Sequence, residues 1–306
     1  MEKKMLVYTT LLAGFLSLVI FSSFNENDTT SSSLATADTL KASQRVTGFD
    51  LNRGFNFAGE AMPTEYFDPV ERLDRELAVN VYMHASTLLH IKTANRYFPI
   101  IEPILREYGV PEDFKYLCVA ESSLRMATSS AGAKGLWQFV DLMARAYNLT
   151  LTSEVDERYH VEKSTAAACK FLLYLKKRFG TWTMAAAAYN MGETSIAKRI
   201  AEQKSNSYYD LYLNDETTRY VFRILAIKEI MQHPEQYGFF VEEDQLYEPH
   251  KYRAVAVTAP IPSLQDFAVQ HGVSYRMLKV MNPWLISSSL TSVAGKNYEI
   301  RIAEKG

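Results

Sequence analysis

The residue of this sequence best placed for acid–base chemistry is Glu121. It follows the apolar run from Phe114 to Ala120, whose pattern predicts a helix, and it precedes the polar pair Ser122-Ser123. A carboxyl at the end of an apolar helix that faces a cleft is partly desolvated. Desolvation raises its pKa toward the value that a general acid needs at neutral pH. The alternative is an ordinary exposed glutamate in the last turn of a helix.

Three further segments carry polar side chains at positions suited to ligand binding. The stretch from Ser130 to Phe139 contains two glycines, which allow a tight loop and a close approach of the backbone to a ligand. The same stretch contains Gln138, whose amide can both donate and accept. The alanine-rich run before Tyr189 and Asn190 predicts a closely packed helix with these two polar tips at its end. The third segment covers residues 215–221.

Four short motifs in these segments follow one another in a defined order. They are Glu121-Ser122, Gly135-Leu136-Trp137-Gln138, Ala188-Tyr189-Asn190 and Glu216-Thr217-x-x-Tyr220-Val221. Their order and rough spacing resemble the lytic transglycosylase family, which shares the goose-type lysozyme fold. Any one motif is weak, whereas the ordered set is specific. The resemblance covers roughly residues 70–240 and is greatest to the group of membrane-bound lytic murein transglycosylase D.

The resemblance implies a glycosidase that uses one carboxyl group instead of the usual pair. Glu121 would protonate the glycosidic oxygen between N-acetylmuramic acid and N-acetylglucosamine, while the substrate's N-acetyl group stabilises the anomeric centre. The resulting carboxylate would take the proton of the sugar's 6-hydroxyl, which then closes into a 1,6-anhydro end. Two other functions stay open: a hydrolytic lysozyme, in which water attacks, and a non-catalytic peptidoglycan-binding scaffold.

The resemblance also assigns roles to individual residues. It implies catalysis by Glu121 and substrate binding by Ser122, Gln138, Tyr189, Asn190, Glu216 and Tyr220. Trp137 fills a position where methionine is common in relatives, and we expect it to keep an apolar wall of the sugar site. Two of these residues have structural alternatives. Tyr220 shares an apolar stripe with Ile224 and fits core packing, and Glu216 fits a first-turn acid that complements the helix dipole.

A basic start and a long apolar run open the sequence. Two lysines precede the apolar residues 5–21, and the run continues to residue 24 with small hydroxyl residues added. Its length lies between that of a signal-peptide core and that of a spanning helix. Residues 1–24 therefore predict either a signal peptide or a membrane anchor through residues 5–24. Residues 25–65 are expected to form a polar tether. Either outcome exports the chain to the bacterial periplasm or cell envelope.

The rest of the pattern predicts a mainly α protein with two domains. Residues 66–240 show helical periodicity, with Pro111 at the start of one helix, and correspond to the lysozyme-like all-helical catalytic domain that the resemblance implies. Residues 241–250 predict a linker. Residues 251–302 follow the pattern strand, helix, helix, strand, which predicts a small βααβ module.

The C-terminal module resembles LysM domains in its second half. In Gly272–Pro283, Gly-Val-Ser is followed by Leu-Lys-x-x-Asn-Pro, as in that family. The first half departs from the pattern, because Ala259–Leu264 stands where the family has Gly-Asp-Thr-Leu. LysM domains contact glycans largely through that loop. Two interpretations therefore stay open: a glycan-binding module, and a packing or spacer domain.

Composition narrows the remaining functions. The 306 residues are 47% hydrophobic and 22% charged, as in globular proteins, and the net charge of −2 argues against a uniformly basic nucleic-acid binder. Cys118 and Cys169 are too few for a four-cysteine zinc site. Export permits a disulfide between them, whereas their helical apolar patterns favour buried free thiols. His90 and His160 lack partners at zinc-ligand spacing. We expect no metal, no cofactor and no nucleic acid. The partner that the resemblance implies is the glycan strand of peptidoglycan.

Overall fold

The structure is a computed structural model and describes residues 47–293 and 295–304. The signal-peptide or anchor prediction for residues 1–24, and most of the expected tether, lie outside this part of the chain. In the part that is described, no helix combines the length and apolarity needed to cross a membrane.

The end of the segment expected as a tether packs into the protein. It forms a short antiparallel pair, β1 (Asn56–Phe57) and β2 (Glu60–Ala61). Phe55, Phe57 and Met62 are buried in the main hydrophobic core. These apolar side chains account for the difference from the expected polar tether over residues 25–65, because a tether would leave them in water.

Eight α-helices follow in the described residues. They are α1 (Phe67–Tyr82), α2 (His84–Glu107), α3 (Phe114–Ser122), α4 (Asp141–Ala146), α5 (Val161–Phe179), α6 (Trp182–Met191), α7 (Glu193–Gln203) and α8 (Asp215–Gln232). Short 3-10 helices lie at Glu157–Tyr159, Pro234–Tyr237 and Glu243–Gln245. In the described residues, far more residues lie in helices than in the two small two-stranded sheets. The prediction of a mainly α protein is therefore confirmed.

Helix ends follow the local sequence signals. The apolar stripe of α5 includes Leu172 and Leu175, which are fully buried, and the helix ends at Gly180 with a φ of +87°. α8 begins after Asn214, whose side-chain oxygen accepts a hydrogen bond from the backbone N–H of Thr217 at 2.8 Å. This cap fixes the first turn of the helix whose next turns reach the candidate active site.

α3 begins later than the sequence predicts. The predicted start is Pro111, whereas the α-helix begins at Phe114. The residues before it form tighter turns, in which the N–H groups of Phe114 and Lys115 bond to the carbonyls of Pro111 and Glu112 at 3.1 and 3.0 Å. The end of the helix agrees with the prediction, and Glu121 lies in its last turn.

The C-terminal module has the predicted order of elements. It consists of β3 (Tyr252–Val257), α9 (Leu264–Gln270), α10 (Tyr275–Met281) and β4 (Tyr298–Ala303). The two strands pair antiparallel, with Tyr252 opposite Ala303. Leu264, Leu278 and Ile300 are fully buried in a core of its own, separate from the core of the helical domain.

Candidate active site

The carboxyl of Glu121 lies at the end of α3 and is almost enclosed. Burial raises its pKa to about 7 from an ordinary value of 4.5. The hydroxyl of Tyr220 donates a short hydrogen bond to Oε1 of Glu121 and lowers the pKa, as does the charge of Arg223, while the charge of Glu216 raises it. Desolvation is the largest of these effects, so the carboxyl titrates near neutral pH. This is the protonation range that a general acid requires.

Tyr220 combines the two roles that the sequence left open. It lies on α8, and only 1% of its surface is exposed, so its ring packs in the core. Its hydroxyl nevertheless reaches Glu121. Burial raises the pKa of Tyr220 well above its ordinary value, and the nearby Glu121 adds to the effect. The phenol therefore stays protonated and remains a hydrogen-bond donor when the carboxyl ionises.

A cleft of about 590 Å³ opens beside Glu121. Its walls come from the glycine-rich loop, from α3, α4 and α5, and from the junction of α6 and α7. The residues that line it are Glu121, Ser129, Ala133, Gln138, Phe139, Val140, Met143, Phe171, Tyr189, Asn190, Met191, Gly192, Glu193, Thr194 and Ser195. Four of the predicted site residues are among them: Glu121, Gln138, Tyr189 and Asn190.

Gln138 sits at a strained turn of the glycine-rich loop. Its φ is +49°, and its side-chain nitrogen donates to the carbonyls of Gly135 and Ala127 at 2.8 and 3.3 Å. Both amide hydrogens are therefore engaged within the loop. The side-chain oxygen is left as the group that can accept a hydrogen bond from a ligand in the cleft.

Gly135 is required where this loop meets the residues after α4. Its φ is +79°, and a Cβ atom at this position would lie 1.9 Å from the carbonyl oxygen of Arg158. No other residue fits so close an approach without moving the backbone.

Trp137 differs from the sequence prediction. It was expected to form an apolar wall of the sugar site, but its side chain is fully buried. The indole N–H donates to the hydroxyl of Thr165 at 2.9 Å, which satisfies its polar atom inside the core. The apolar wall comes instead from Phe139, Met143 and Phe171, which line the cleft. These residues belong to ordinary apolar patterns in the sequence, so no signal distinguished them.

Tyr189 lines the cleft through its ring. Its hydroxyl donates to the carbonyl of Trp137 at 2.6 Å, and its ring lies 5.3 Å from that of Phe171 and 6.3 Å from that of Phe139. Burial raises its pKa well above the ordinary value, with a further contribution from Glu121. The hydroxyl thus ties α6 to the glycine-rich loop instead of bonding to the carboxyl.

The other predicted residues lie at the margins of the cleft. Ser122 is buried, and its hydroxyl donates to the carbonyl of Cys118 at 3.2 Å, within α3. Asn190 accepts a hydrogen bond from the hydroxyl of Thr217 at 2.8 Å, which joins the end of α6 to the start of α8. Neither contact involves Glu121, although Asn190 still lines the cleft.

Glu216 lies in the first turn of α8 and is exposed. Its carboxylate pairs with Arg223 at 2.9 Å. Arg223 also approaches the buried Glu76 at 3.7 Å, and its charge lowers the pKa of Glu121. No sequence signal singles out Arg223. Arg223 lies seven residues after Glu216, about two turns further along the same face of α8, and this placement becomes clear only from the structure.

Potential metal ligands and the two cysteines were the other candidates for a site. In the described part of the chain, no group of three or more His, Cys, Asp or Glu side chains is arranged to hold a metal ion. Cys118 and Cys169 are free and buried. Burial raises the pKa of both thiols, so they stay protonated.

Comparison with family models covers the first three of the four motifs. Residues 98–212 match the family model of the transglycosylase SLT domain, and residues 253–306 match that of the soluble lytic transglycosylase C-terminal LysM-like domain. Over these residues the chain is similar to an SLT domain followed by a LysM-like domain. The resemblance to lytic transglycosylases, inferred from the sequence, is confirmed at this level.

Individual relatives add detail. The chain is 31% identical over 234 residues to membrane-bound lytic murein transglycosylase D of Escherichia coli strain K12, with 74% of this chain and 50% of that protein covered. The same figures hold for the protein of that name from Escherichia coli O6:H1. The chain spans about half the length of these curated relatives.

Several solved chains also match, and one of them is a lytic transglycosylase. It is the X-ray structure of an inactive mutant of lytic transglycosylase Slt from Pseudomonas aeruginosa, 18% identical, with 49% of this chain and 26% of that chain covered and a TM-score of 0.38. At that score the match supports no further statement about the site.

Proposed function

We propose that this protein is a peptidoglycan lytic transglycosylase. It cleaves the β-1,4 bond between N-acetylmuramic acid and N-acetylglucosamine and leaves 1,6-anhydromuramic acid ends. The observation that carries the proposal is the enclosed carboxyl of Glu121 at the edge of the cleft, whose pKa burial raises to about 7. The similarity to lytic murein transglycosylases supports the same substrate class.

The proposed reaction uses Glu121 twice. In the first step the protonated carboxyl donates its proton to the glycosidic oxygen, the bond from that oxygen to the anomeric carbon breaks, and the N-acetylglucosamine side leaves as an alcohol. In the second step the carboxylate removes the proton of the muramic 6-hydroxyl, and that oxygen bonds to the anomeric carbon. The carboxyl is protonated again, and no water is consumed.

Tyr220 supports the ionised stage of this cycle. Its hydrogen bond to Oε1 is stronger when Glu121 is a carboxylate than when it is an acid. Without such a donor, an enclosed carboxylate would lose its hydration and have no hydrogen bond to compensate for that loss. The hydrogen bond from Tyr220 therefore reduces the free-energy cost of ionising Glu121, while burial favours the protonated form of the resting group.

The arrangement of other carboxylates favours a single-carboxyl mechanism. Among the residues that line the cleft, the second acid is Glu193, which is paired with Arg178 and accepts a hydrogen bond from the hydroxyl of Tyr174 at 2.6 Å. Glu216 is exposed and paired with Arg223. In glycosidases with two carboxyl groups, the second carboxylate must be free to attack the anomeric carbon or to activate water. Glu193 and Glu216 are instead held in ion pairs.

The cleft offers complementary contacts to an amino-sugar polymer. The side-chain oxygen of Gln138 is free to accept from an amide or hydroxyl, and Asn190 lies beside the end of α6. The rings of Phe139, Phe171 and Tyr189 give an apolar surface for sugar faces. We assign direct contacts with the substrate to Gln138, Tyr189 and Asn190. Ser122, Glu216 and Tyr220 contribute to substrate binding indirectly, because they stabilise the helices around the cleft.

We place this activity in the bacterial cell envelope, in cell-wall remodelling. The relatives from Escherichia coli are named as membrane-bound murein enzymes. Export through residues 1–24 accords with a murein substrate, which lies outside the inner membrane.

Product analysis tests the proposal. The full chain is incubated with purified peptidoglycan sacculi, and the released muropeptides are measured by mass spectrometry. We expect products one water lighter than reducing-end products, and we expect Glu121→Gln to abolish them. Glu193→Gln is the matched variant, since it neutralises the other carboxylate of the cleft, and it should still yield anhydro ends. Reducing-end products would identify a lysozyme. Release of nothing by the folded protein, with sacculus binding retained, would identify a scaffold.

A further inference from the structure

Residues 154–162 lie between the glycine-rich loop of the cleft and the LysM-like module, and they contact both. We call residues 154–162 the bridge segment and residues 127–139 the cleft loop. We infer that the LysM-like module positions the cleft loop through the bridge segment, so that the module is part of the catalytic architecture. The kinetic part of this inference rests on the proposed function, and the structural part does not.

Glu154 fastens the bridge segment to the module. Its carboxylate accepts four hydrogen bonds from one short stretch of the module: from the hydroxyl of Ser289 at 2.6 Å, from the N–H and hydroxyl of Thr291 at 2.9 and 3.0 Å, and from the N–H of Ser292 at 3.1 Å. The hydrogen bond from Ser289 is the largest cause that lowers the pKa of Glu154 to about 2. The carboxylate is therefore charged at neutral pH, where it can accept all four hydrogen bonds.

The backbone and the core continue this attachment. Val155 pairs with Leu285 as an isolated antiparallel bridge, and the N–H of Asp156 donates to the carbonyl of Trp284 at 2.9 Å. The side chain of Val155 is 2% exposed and belongs to the core of the module, although it comes from the helical part of the chain. A residue of one domain inside the core of the other makes the contact a packed interface rather than a flexible junction.

Arg158 connects the bridge segment to the cleft loop. It is 3% exposed, and its guanidinium bonds to the carboxylate of Asp156 at 2.8 and 2.7 Å. The same guanidinium donates to the carbonyls of Gly132 and Phe139, each at 3.4 Å, and pairs with Asp141 at the start of α4. A buried guanidinium must keep its partners, since an unpaired charge there is costly. Arg158 therefore holds both arms of the cleft loop.

Three further contacts fix the same loop. Lys134 pairs with Asp156 at 3.3 Å, and the hydroxyls of Thr128 and Tyr159 bond to each other at 2.7 Å. The backbone of Gly135 lies against the carbonyl of Arg158 so closely that a Cβ atom has no room. The loop held in this way carries Ser129, Ala133, Gln138 and Phe139, four of the residues that line the cleft.

The contacts form one continuous route from the module to the substrate cleft. The stretch 284–292 of the module holds residues 154–156, Asp156 orients Arg158, and Arg158 holds the cleft loop. An ion pair between Glu162 and Arg301 of β4 secures the other end of the bridge segment. Each step is a hydrogen bond, an ion pair or a packed contact. The sequence left two interpretations of the module open: a glycan-binding module, and a packing or spacer domain. This route favours packing, and the packing affects catalysis because it holds the cleft loop.

Glu154→Ala in the full chain tests the inference. The substitution removes four acceptor contacts at the junction and touches neither Glu121 nor the cleft. Hydrogen exchange measured by mass spectrometry should show that the amides of the cleft loop lose protection by about tenfold, while those of β3 and β4 keep theirs. On a soluble glycan substrate, kcat/KM should fall by about tenfold, mainly through KM, because the displaced loop binds substrate less well. The pH at which activity falls, which reports Glu121, should stay the same.

Glu299→Gln is the matched control, because it removes a carboxylate from an exposed position on β4, opposite Ala256 of β3. Wild-type exchange in the cleft loop of Glu154→Ala would overturn the inference. So would loss of protection throughout the module, because the effect would then be unfolding. If the wild-type protein forms no anhydro product, the proposed function fails, and the exchange measurement still decides the inference.

Discussion

Glu121→Gln should make the protein more stable at alkaline pH while it removes the proposed catalytic group. In the folded protein, burial holds the pKa of Glu121 at about 7, whereas the ordinary value is 4.5. The folded state therefore binds this proton more tightly than the unfolded state does. Its contribution to stability is fully present below about pH 4.5 and is lost as the pH rises through 7.

The size of the effect follows from the shift. Each unit of pKa corresponds to about 1.4 kcal/mol, so ionising Glu121 costs the folded state up to about 3 kcal/mol above neutral pH. Glutamine has the same shape, cannot ionise and still accepts the hydrogen bond from Tyr220. Because Glu121 keeps part of its surface open to the cleft, this figure is an upper limit.

Denaturant unfolding monitored by circular dichroism measures the effect. We expect Glu121→Gln to match the wild type at about pH 4 and to exceed it by up to about 3 kcal/mol at about pH 8. Glu299→Gln, at an exposed position, should show no such pH-dependent difference from the wild type. A free-energy difference that is the same at both pH values, or a glutamine variant that is less stable at about pH 8, would show that burial does not raise the pKa of Glu121.

Other substitutions test neighbouring parts of the account. Tyr220→Phe removes a hydrogen bond that lowers the pKa of Glu121, so the alkaline limb of kcat/KM should move up by about one pH unit, and a downward shift would contradict the assigned donor. Gly135→Ala should destabilise the fold by at least about 2 kcal/mol in thermal unfolding, because its Cβ would meet the carbonyl of Arg158. Trp137→Phe should cost about 1–3 kcal/mol, since it leaves Thr165 without its donor in the core, and unchanged stability would argue against that contact.

The sequence predicted the helices and the module well because their signals are local. Gly180 stops α5, and Asn214 and Ser274 cap α8 and α10 through their own side chains. The enclosed carboxyl of Glu121 was also predictable, since it follows directly from an apolar helix that ends in a polar pair.

Other features depend on contacts between distant parts of the chain. The direction of Trp137 is set by a loop with a positive φ at Gln138, and residue types alone do not reveal that turn. Phe57 lies in a two-residue strand, too short for any alternation to show. Glu154 and Ser289 are 135 residues apart, and nothing in either neighbourhood indicates that they bond.

The most direct test of the central claim is to digest peptidoglycan with the wild-type protein in water enriched in heavy oxygen. If Glu121 acts first as acid and then as base toward the muramic 6-hydroxyl, no solvent oxygen enters the product. The new ends should be unlabelled anhydro sugars, and Glu121→Gln should produce none. Reducing ends that carry one heavy oxygen atom from the solvent would show that water attacks the anomeric carbon, and they would contradict the proposed transglycosylase mechanism.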